Sequence, residues 1–374
     1  MKKKKILHIA QSAGGVAEYI YILIKNMNKE KYENFLICSD EYKSIQKIND
    51  LKINKYYVKM VRNINITKDI EAIKEIKKII REVKPDIVYL HSSKAGGLGR
   101  LAISKRKVKI IYNSHGWYFN AQISKKKKML YTVLEKILAI NTDKIVNISE
   151  SEYESAAHKK IANCRKMTII NNSIDFEKFA SGEENRITIR NEYRIQSEDI
   201  VLGVVGRISE QKDPMTTIQV FSELCKKYEK LYCMFIGDGE LKKDIIQYCT
   251  EKGIQDKVII TNWIENTEKY IPSIDIAMLP SKWEGFGLAI LEYIAAKKPI
   301  VASEVGGIAN ILEKATFAKL VKSEDINGFI NAIDQIIQNY AEFQRRINDE
   351  YEYYKEKYSI KKLENKHEKM FDDM

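Results

Sequence analysis

Short apolar runs alternate with amphipathic segments from one end of the chain to the other. The apolar runs have the length of strands, and the segments between them carry apolar residues at helical spacing. This alternation predicts an α/β fold in which parallel sheets are covered by helices on both faces. The predicted strands are Lys5–Ala10, Asn34–Cys38, Asp86–Leu90, Val108–Tyr112, Lys144–Ile148, Met167–Ile170, Ile200–Val205, Tyr232–Ile236, Lys257–Thr261, Ile274–Leu279, Pro299–Ala302 and Phe317–Val321.

The pattern weakens near the middle of the chain, between about residues 175 and 197. This stretch is polar and lacks a clear apolar period, which indicates a break between two domains. The 374 residues, 44% of them hydrophobic, can bury two cores of ordinary size. We therefore predict two Rossmann-like domains, residues 1–190 and 191–350, followed by a C-terminal segment, residues 351–374.

The most informative motif is a glycine-rich turn between the predicted strand Ile274–Leu279 and an apolar helical stretch, 288–296. Gly285 and Gly287 let backbone N–H groups approach a ligand without a Cβ in the way, and a turn that opens a helix presents free N–H donors. The motif therefore predicts a site for an anionic ligand rich in hydroxyl groups.

Two glutamates flank this turn, Glu284 just before the helix and Glu292 about two turns further on. One can face a reacting group, while the other can accept hydrogen bonds from ribose-like hydroxyls. The alternative is that both are solvated, as charged residues in loops usually are. The glycines and the strand-turn-helix context favour a functional pair.

A second strand, Ile200–Val205, leads into a loop that carries Gly206, Arg207 and Lys212. Asp213 and Pro214 predict the start of a helix, as N-cap and first helical residue. Arg207 offers a planar fork to phosphate oxygens and Lys212 a point charge, which together suit a diphosphate. The alternative is two solvated surface cations. A third strand-turn-helix contains Gly237, which could serve only its tight turn.

Two motifs in the first half of the chain follow predicted strands. His115 stands at the end of Val108–Tyr112, where it could carry a proton or donate a hydrogen bond in a cleft, or be a packed core histidine. The segment His91–Arg100 follows Asp86–Leu90 and includes Ser92; the alternative for it is a closely packed, glycine-rich helix start. The sequence assigns no role to His8, His158 or His367.

With these motifs in view, the chain resembles retaining glycosyltransferases of the GT-B type, which have two Rossmann-like domains, in the large group (family 4) of sucrose and glycogen synthases. The His91–Arg100 segment resembles that of bacterial polysaccharide-assembly members. The resemblance covers nearly the whole chain. It implies a site in which Glu284, His115, Arg207 and Lys212 are catalytic; Gly15, Gly206, Arg207, Lys212, Gly237, Glu284, Gly285, Phe286, Gly287, Leu288 and Glu292 bind the donor; and Gly14, Ser92 and His115 bind the acceptor.

The resemblance also implies the reaction and the domain roles. Residues 1–190 would bind the acceptor, residues 191–350 the nucleotide sugar, and a C-terminal helix in 351–374 would pack back on the N-terminal domain. We expect transfer of a hexose from a nucleotide diphosphate donor, with UDP the expected carrier, to a lipid-linked saccharide in capsule, exopolysaccharide or O-antigen assembly, with retention of anomeric configuration. A sugar-nucleotide epimerase of the same fold, and a non-enzymatic basic protein that binds membrane or nucleic acid, are the alternatives.

Charge is divided unevenly along the chain. Residues 1–195 carry 39 Lys and Arg against 21 Asp and Glu, whereas the rest carries 24 against 30. A basic N-terminal half is attracted to anionic lipid headgroups. Lys125, Lys126, Lys127 and Lys128 run into an apolar helical stretch that suits either a membrane surface or a core-facing helix. We expect a cytoplasmic protein, peripheral on the inner face of the plasma membrane, because no span and no signal pattern is present.

Several classes of site are not supported by the sequence. Five scattered cysteines form no Cys-x-x-Cys pair, which argues against a zinc site and a disulfide framework. The chain has no Asp-x-Asp motif, and by resemblance the leaving diphosphate is neutralised by protein cations and helix dipoles. We therefore expect no metal and no cofactor beyond the donor. The positive charge forms no recognisable nucleic-acid module, so no nucleic-acid partner is expected.

Overall fold

The computed structural model of the protein describes residues 2–103, 108–180 and 182–374. The chain forms two compact units. The first contains the residues up to Ser173 together with Ile360–Met374, and the second contains Ile174–Ser359.

The first unit is built on a seven-stranded parallel sheet. Its strand order is β3-β2-β1-β4-β5-β6-β7, so the chain reverses direction across the sheet between β1 and β4. The strands are β1 Lys4–Ala10, β2 Tyr32–Cys38, β3 Asn54–Tyr57, β4 Ile87–His91, β5 Lys109–Asn113, β6 Lys144–Asn147 and β7 Met167–Ile169. The helices before β8 that belong to this unit are α1 Gly15–Asn26, α2 Gln46–Asn49, α3 Ile66–Val83, α4 Ser93–Ala102, α5 Lys125–Ile140 and α6 Glu150–His158.

Alternating side chains of β1 show why this sheet is covered on both faces. Leu7 and Ile9 join one apolar cluster, while Ile6 and Ala10 join another on the opposite face. Successive side chains of a strand point to opposite faces, so a strand that is apolar throughout needs helices on each side. His8 lies on the same face as Ile6 and Ala10, fully buried among them.

The second unit is built on a six-stranded parallel sheet of order β10-β9-β8-β11-β12-β13. Its reversal point lies between β8 and β11. The strands are β8 Ile200–Val205, β9 Leu231–Ile236, β10 Val258–Ile260, β11 Ile276–Leu279, β12 Ile300–Ser303 and β13 Ala318–Val321. The helices are α7 Glu177–Ala180, α8 Glu183–Glu192, α9 Pro214–Lys227, α10 Lys242–Lys252, α11 Thr267–Tyr270, α12 Leu288–Ala295, α13 Gly306–Leu312, α14 Ile326–Gln338 and α15 Tyr340–Lys357; α16 Ile360–Asp372 returns to the first unit.

The predicted α/β architecture with two parallel-sheet Rossmann-like domains is confirmed. All twelve predicted strands are present, with ends that differ from the prediction by at most two residues. The sequence missed β3, Asn54–Tyr57, because this edge strand is half-exposed and contains no apolar run. Parallel pairing with Phe35 to Cys38 of β2 defines it instead.

The first boundary between the units lies earlier than predicted. Residues 174–190, assigned from the sequence to the N-terminal domain, belong to the second unit. Arg186 and Arg190 on α8 both pair with Asp275, at 2.7 and 2.5 Å, and Arg190 also donates to the carbonyl of Ser273. The helix is held by charged side chains and not by an apolar stripe, which is why its sequence resembles a linker.

The second boundary lies later than predicted. Residues 351–359 belong to the second unit, because Tyr354 of α15 packs edge-on against Phe317, and Tyr358 packs against Phe286. The helix of the first unit begins only at Ile360. This helix, α16, packs on α1 and contributes the buried side chains Leu363, His367, Met370 and Phe371.

Candidate active site

The candidate donor residues lie at the reversal point of the second sheet. Loops after β8 and β11 start side by side there, because these two strands are neighbours whose crossover connections run in opposite directions. In open parallel sheets, ligands bind outside the carboxyl ends of the strands at such a point. The loop after β8 carries Gly206, Arg207 and Lys212, and the loop after β11 carries Glu284 to Gly287.

Lys212 and Glu284 meet across this point. The Lys212 ammonium lies 2.6 Å from a Glu284 carboxylate oxygen, and their side chains are only 18% and 14% exposed. The two loops are further joined by the Gln211 amide, which donates to the carbonyl of Trp283, and by the Lys282 N–H, which donates to the carbonyl of Gln211. An ammonium and a carboxylate from separate motifs are therefore held together at one partly buried position.

Glycines let the loops after four strands approach one another. A Cβ at Gly237, after β9, would stand 2.1 Å from the carbonyl oxygen of Gly206, and its φ of +150° also favours glycine. A Cβ at Gly306, after β12, would stand 2.1 Å from the carbonyl oxygen of Glu284, and the Gly307 N–H donates to that same oxygen. Gly237 thus supports the loop that carries Lys212, while Gly306 and Gly307 support the loop that carries Glu284.

The turn before α12 has the predicted form. Gly287 is the N-cap with φ +94°, and it brings no side-chain oxygen to the N–H groups of the first turn. Leu288 begins the helix, and Glu292 lies half-buried on it. Phe286, a predicted donor residue, is buried, and its ring packs against that of Tyr358. Gly285 lies half-buried in the same turn.

Arg207 is placed differently from Lys212. Its guanidinium pairs with Glu240 at 3.0 Å, and its side chain is 56% exposed. The predicted start of α9 is confirmed, since Asp213 accepts a hydrogen bond from the Thr216 N–H and Pro214 is the first helical residue. Arg207 is therefore a surface cation at the rim, whereas Lys212 belongs to the packed site.

The candidate acceptor residues lie at the reversal point of the first sheet. Gly14 follows β1, Ser92 follows β4 and His115 follows β5; Gly15, a predicted donor residue, lies beside Gly14 at the start of α1. Gly14, Ser92 and His115 have φ of +72°, +74° and +53°, a strained conformation for the latter two. The Ser92 hydroxyl oxygen is buried without a hydrogen-bond partner among the described residues. Strain and an unpaired polar group at a ligand-binding edge are both typical of functional sites.

Four of the five histidines form one cluster in this unit, which the sequence did not predict. His8, His91 and His115 are linked in series by hydrogen bonds of 3.1 and 3.0 Å between their rings. His367 on α16 bonds the Tyr19 hydroxyl at 2.7 Å. Burial lowers the pKa of His8 and His367 to about 4 and of His115 to about 3, and it lowers that of His91 well below its ordinary value. The sequence feature that could have indicated this cluster is a histidine inside each of two apolar strands, His8 in β1 and His91 in β4.

Arg100, the last residue of the His91–Arg100 segment, is not a solvated surface cation. Its guanidinium is buried, lies 3.9 Å from the Tyr112 ring centre and pairs with Glu135 of α5 at 2.8 Å. The glycine-rich packing alternative for this segment is supported, since a Cβ at Gly96 would stand 2.3 Å from the Tyr112 ring and one at Gly99 equally close to the Leu90 side chain.

Helix α5 turns its apolar face outward. Its fully buried residues are Glu135 and Ala139, so the core-facing alternative is wrong. The exposed apolar residues, which are 36 to 69% exposed and which we call the α5 apolar face, are Met129, Leu130, Val133, Leu134, Ile137 and Ile140. Lys125, Lys126 and Lys127 at its start are exposed, and Lys128 is half-buried.

Residues 2–103, 108–180 and 182–374, which the structure describes, lack two kinds of feature. No helix in these ranges combines the length and the apolar character that crossing a bilayer requires. No group of three His, Cys, Asp or Glu side chains within them is arranged to bind a metal ion.

Comparison with known proteins assigns the chain to a family. Residues 13–178 match the family described as Glycosyltransferase Family 4, and residues 185–354 match the family described as Glycosyl transferases group 1. These matches cover most of both units. The chain belongs to the family 4 glycosyltransferases, and it is a glycosyltransferase enzyme.

Individual relatives support this family assignment. The chain is 27% identical to the UDP-Gal:alpha-D-GlcNAc-diphosphoundecaprenol alpha-1,3-galactosyltransferase of Escherichia coli, over 82% of this chain and 80% of that one. It is 24% identical to the capsular polysaccharide biosynthesis glycosyltransferase CapM of Staphylococcus aureus, over 91% and 89%. Among solved structures, Anabaena HepE in complex with UDP-glucose has a TM-score of 0.85 at 15% identity, covering 99% of this chain and all of that chain, which supports the fold.

Proposed function

We propose that this glycosyltransferase moves a hexose from a UDP-sugar to a hydroxyl of a lipid-linked saccharide with retention of anomeric configuration. The observation that carries the proposal is the Lys212–Glu284 pair, held at 2.6 Å at the reversal point of the second sheet beside a glycine turn that opens a helix. This arrangement places a cation, a carboxylate and helix N–H groups where a nucleotide diphosphate binds in sheets of this kind.

The residues divide the work of the reaction. The bond between the sugar C1 and the diphosphate oxygen breaks, UDP leaves with the electron pair, and the acceptor oxygen bonds C1 on the same face while its proton passes to the leaving phosphate. Lys212 stabilises the charge that grows on the diphosphate. An ammonium has three donors, so Lys212 can hold Glu284 and a phosphate oxygen together. Glu284 orients the donor sugar and is not a covalent nucleophile, while Glu292 accepts hydrogen bonds from the ribose.

The relatives and the residues of the first unit support a lipid-linked saccharide as the acceptor. The Escherichia coli relative is named for a diphosphoundecaprenol-linked acceptor, and the Staphylococcus aureus relative for capsular polysaccharide biosynthesis. We place the acceptor at Gly14, Ser92 and His115, where strained backbone lies at one sheet edge with a buried hydroxyl that has no hydrogen-bond partner among the described residues. A role in assembly of a bacterial surface polysaccharide follows. Protein cations neutralise the diphosphate in this scheme, and no metal is required.

A lipid-linked acceptor requires a membrane surface, and α5 is suited to one. The α5 apolar face points outward, next to Lys125 to Lys128 at the start of the helix. Apolar side chains enter the headgroup boundary, and each lysine near an anionic surface adds about 1 kcal/mol. We therefore place the enzyme in the cytoplasm, peripheral on the inner face of the plasma membrane.

The donor site is tested by a thermal-shift screen of wild type and Glu292→Ala against UDP, GDP, ADP and nucleotide sugars. A ligand that binds only the folded state raises the melting temperature. We expect a shift with UDP and UDP-sugars that is weaker in the variant. No shift with any nucleotide would contradict the donor site.

Transfer is then assayed with UDP-hexoses and GlcNAc-diphosphoundecaprenol in vesicles, with and without EDTA. We expect a labelled lipid product with the donor's anomeric configuration in both conditions. Free epimerised sugar nucleotide without lipid product would favour the epimerase instead, and loss of activity in EDTA would contradict the metal-free scheme.

The membrane surface is tested by vesicle flotation with and without anionic lipid. The variant Val133→Ser/Ile137→Ser should float less, as should a variant with Lys125 to Lys128 changed to glutamine. Ile246→Ser is the matched control, because Ile246 is exposed on α10 of the second unit. Equal flotation of all these proteins would reject the assignment of α5.

A further inference from the structure

The hydrogen bonds among three rings of the first unit have a direction. The Asn34 side-chain oxygen lies 3.2 Å from His8 Nε2, so this nitrogen carries the proton of a neutral His8. His8 Nδ1 must then accept, and His91 Nε2, 3.1 Å away, must donate to it. The same rule makes His91 Nδ1 an acceptor and His115 Nε2, 3.0 Å away, its donor. Each ring therefore fixes the proton of the next.

The surroundings keep the rings of His8, His91 and His115 neutral. His8 and His91 are fully buried, and the rings of His91 and His115 lie 5.3 Å apart, so a charge on one opposes a charge on the next. The other titratable groups that face these rings are Tyr19 of α1, Tyr89 of β4, and His367 of α16. Each of these groups is neutral near pH 7, because burial raises the pKa of the tyrosines and lowers that of His367.

The series of hydrogen-bonded rings ends at His115, whose Nδ1 is the ring nitrogen that does not bond to His91. His115 uses Nε2 for the bond to His91, and its backbone N–H donates to the Asn113 side-chain oxygen at 2.9 Å. The Tyr19 ring packs against the His115 ring at 4.7 Å and holds its orientation. Among the residues that the structure describes, none hydrogen-bonds to His115 Nδ1, and the residue is half-buried at the carboxyl end of β5. Its lone pair is available to a ligand.

We propose that His8 and His91 are positioning residues that fix His115 as the Nε2–H tautomer, so that His115 Nδ1 accepts a hydrogen bond from a substrate hydroxyl. The direction of this series of hydrogen bonds is set by Asn34, which is separated from the ligand by the three histidine rings. The substrate part of this inference rests on the proposed function, whereas the arrangement of protons does not. A saccharide hydroxyl is a suitable partner, because a hydroxyl can donate a hydrogen bond to the acceptor nitrogen of a neutral imidazole.

The proton arrangement is tested on the protein without substrate, by long-range ¹H–¹⁵N correlation spectroscopy of ¹⁵N-histidine-labelled protein. The chain has five histidines, which makes assignment tractable. We expect the Nε2–H tautomer for His8, His91 and His115, and the Nδ1–H tautomer for His367, whose Nδ1 lies 2.7 Å from the Leu363 carbonyl oxygen. A wild-type spectrum with the His115 proton on Nδ1 would overturn the proposal, even if no variant folds.

The positioning role is tested with two substitutions of His91. His91→Asn keeps an acceptor oxygen near the former Nδ1, whereas His91→Leu removes it. We expect His91→Asn to keep the His115 tautomer and near wild-type kcat, and His91→Leu to mix the tautomers and lose about tenfold in kcat, the value of one hydrogen bond. The KM for the UDP-sugar should change in neither. Equal kcat values for the two variants would overturn the positioning role of His91. Failure of the wild-type protein to bind UDP would instead overturn the proposed function.

Discussion

Both units place their candidate site at the carboxyl ends of parallel strands, where the strand order reverses, yet they build it from different material. In the second unit the polar groups stand on loops, and Lys212 pairs with Glu284 after the chain has left the strands. In the first unit they stand inside the sheet, and His8 and His91 reach His115 from neighbouring buried strands. The same topology can therefore hold a charged site and a neutral one.

This difference decides how each site responds to its surroundings. The pair in the second unit consists of an ammonium and a carboxylate beside glycine turns, which suits an anionic ligand whose own charge changes during reaction. The hydrogen-bonded histidines of the first unit are neutral rings with defined donors and acceptors, which suits hydroxyl groups. The contrast predicts that substitutions in the second unit act mainly on the diphosphate and that acid acts mainly on the first unit.

The largest effect should come from the charged pair. Glu284→Gln and Lys212→Gln should each lower kcat by about 100-fold to 1,000-fold, because each removes a pre-placed group that acts on the reacting sugar or the leaving diphosphate. The measurement is the initial rate of lipid-product formation at saturating donor. Glu240→Gln is the control, since this carboxylate is exposed at the rim and should change kcat little. Comparable losses in all three would contradict the separation of the packed pair from the rim.

The next effect concerns the glycine that supports the loop of Lys212. Gly237→Ala should lower the free energy of unfolding of the second unit by about 3 kcal/mol and weaken UDP binding, because the new Cβ would collide with the carbonyl oxygen of Gly206. Gly253→Ala also has a positive φ but meets no atom within 4 Å, so it should cost about 1 kcal/mol and spare UDP binding. Urea denaturation measures the free energy of unfolding and calorimetry measures UDP binding. Equal losses of unfolding free energy in the two variants would contradict the close contact between Gly237 and the Gly206 carbonyl oxygen.

Acid should weaken the first unit. The pKa of His8 and of His367 is about 4 in the folded protein, below the ordinary 6.5, so the unfolded chain takes up protons first as the pH falls. Their contribution is complete above pH 6.5 and is lost between about pH 6.5 and 4. From pH 7 to 5 we expect a loss of about 2 kcal/mol for each of these two histidines.

Trp117 can report this transition. It is the tryptophan of the first unit, and Trp263 and Trp283 of the second can be replaced by phenylalanine. Urea unfolding followed by Trp117 fluorescence should show the expected pH dependence, and His367→Gln should reduce it because one titrating ring is gone. A pH dependence unchanged by that substitution would argue against the histidine cluster as its cause.

The smallest effect is expected at the rim. Arg207→Gln should weaken UDP binding by about fivefold at low salt and by less at high salt, because an exposed cation contributes up to about 1 kcal/mol and is screened. Calorimetric titration at two salt concentrations checks this. A loss as large as that of Lys212→Gln, and independent of salt, would show that Arg207 enters the site when the donor binds.

The sequence predicted the fold and the loop-borne site because both depend on neighbours in the chain. Strand, glycine turn and helix follow one another around Glu284 and around Arg207, so local patterns were enough. The histidine chain depends on register: Ala10 lies opposite His91, and His8 lies opposite Tyr89. A sequence alone does not show which strands are adjacent, so a histidine in an apolar strand, such as His8, did not reveal its partners, and His367 on a charged helix carried no signal.

The misplaced first boundary at α8 and the two alternatives left open for α5 have a related cause. Arg190 of α8 and Arg100 with Glu135 at α5 are buried charges that hold helices in place of an apolar stripe. Periodicity treats a charged residue as solvated, so it takes α8 for a linker and assigns the outward apolar residues of α5 to either the core or a membrane. Partner identity, which periodicity does not include, determines which face of such a helix is buried.

We propose that the loops after β8 and β11 bind the diphosphate of a UDP-sugar. Isothermal titration of UDP into wild type and Lys212→Gln tests it most directly, because it needs neither an acceptor nor turnover. We predict saturable binding to wild type and an affinity at least about tenfold lower for the variant, since a charge-assisted hydrogen bond to phosphate is lost. Equal affinity of the two proteins for UDP, or no binding to wild type, would contradict the claim.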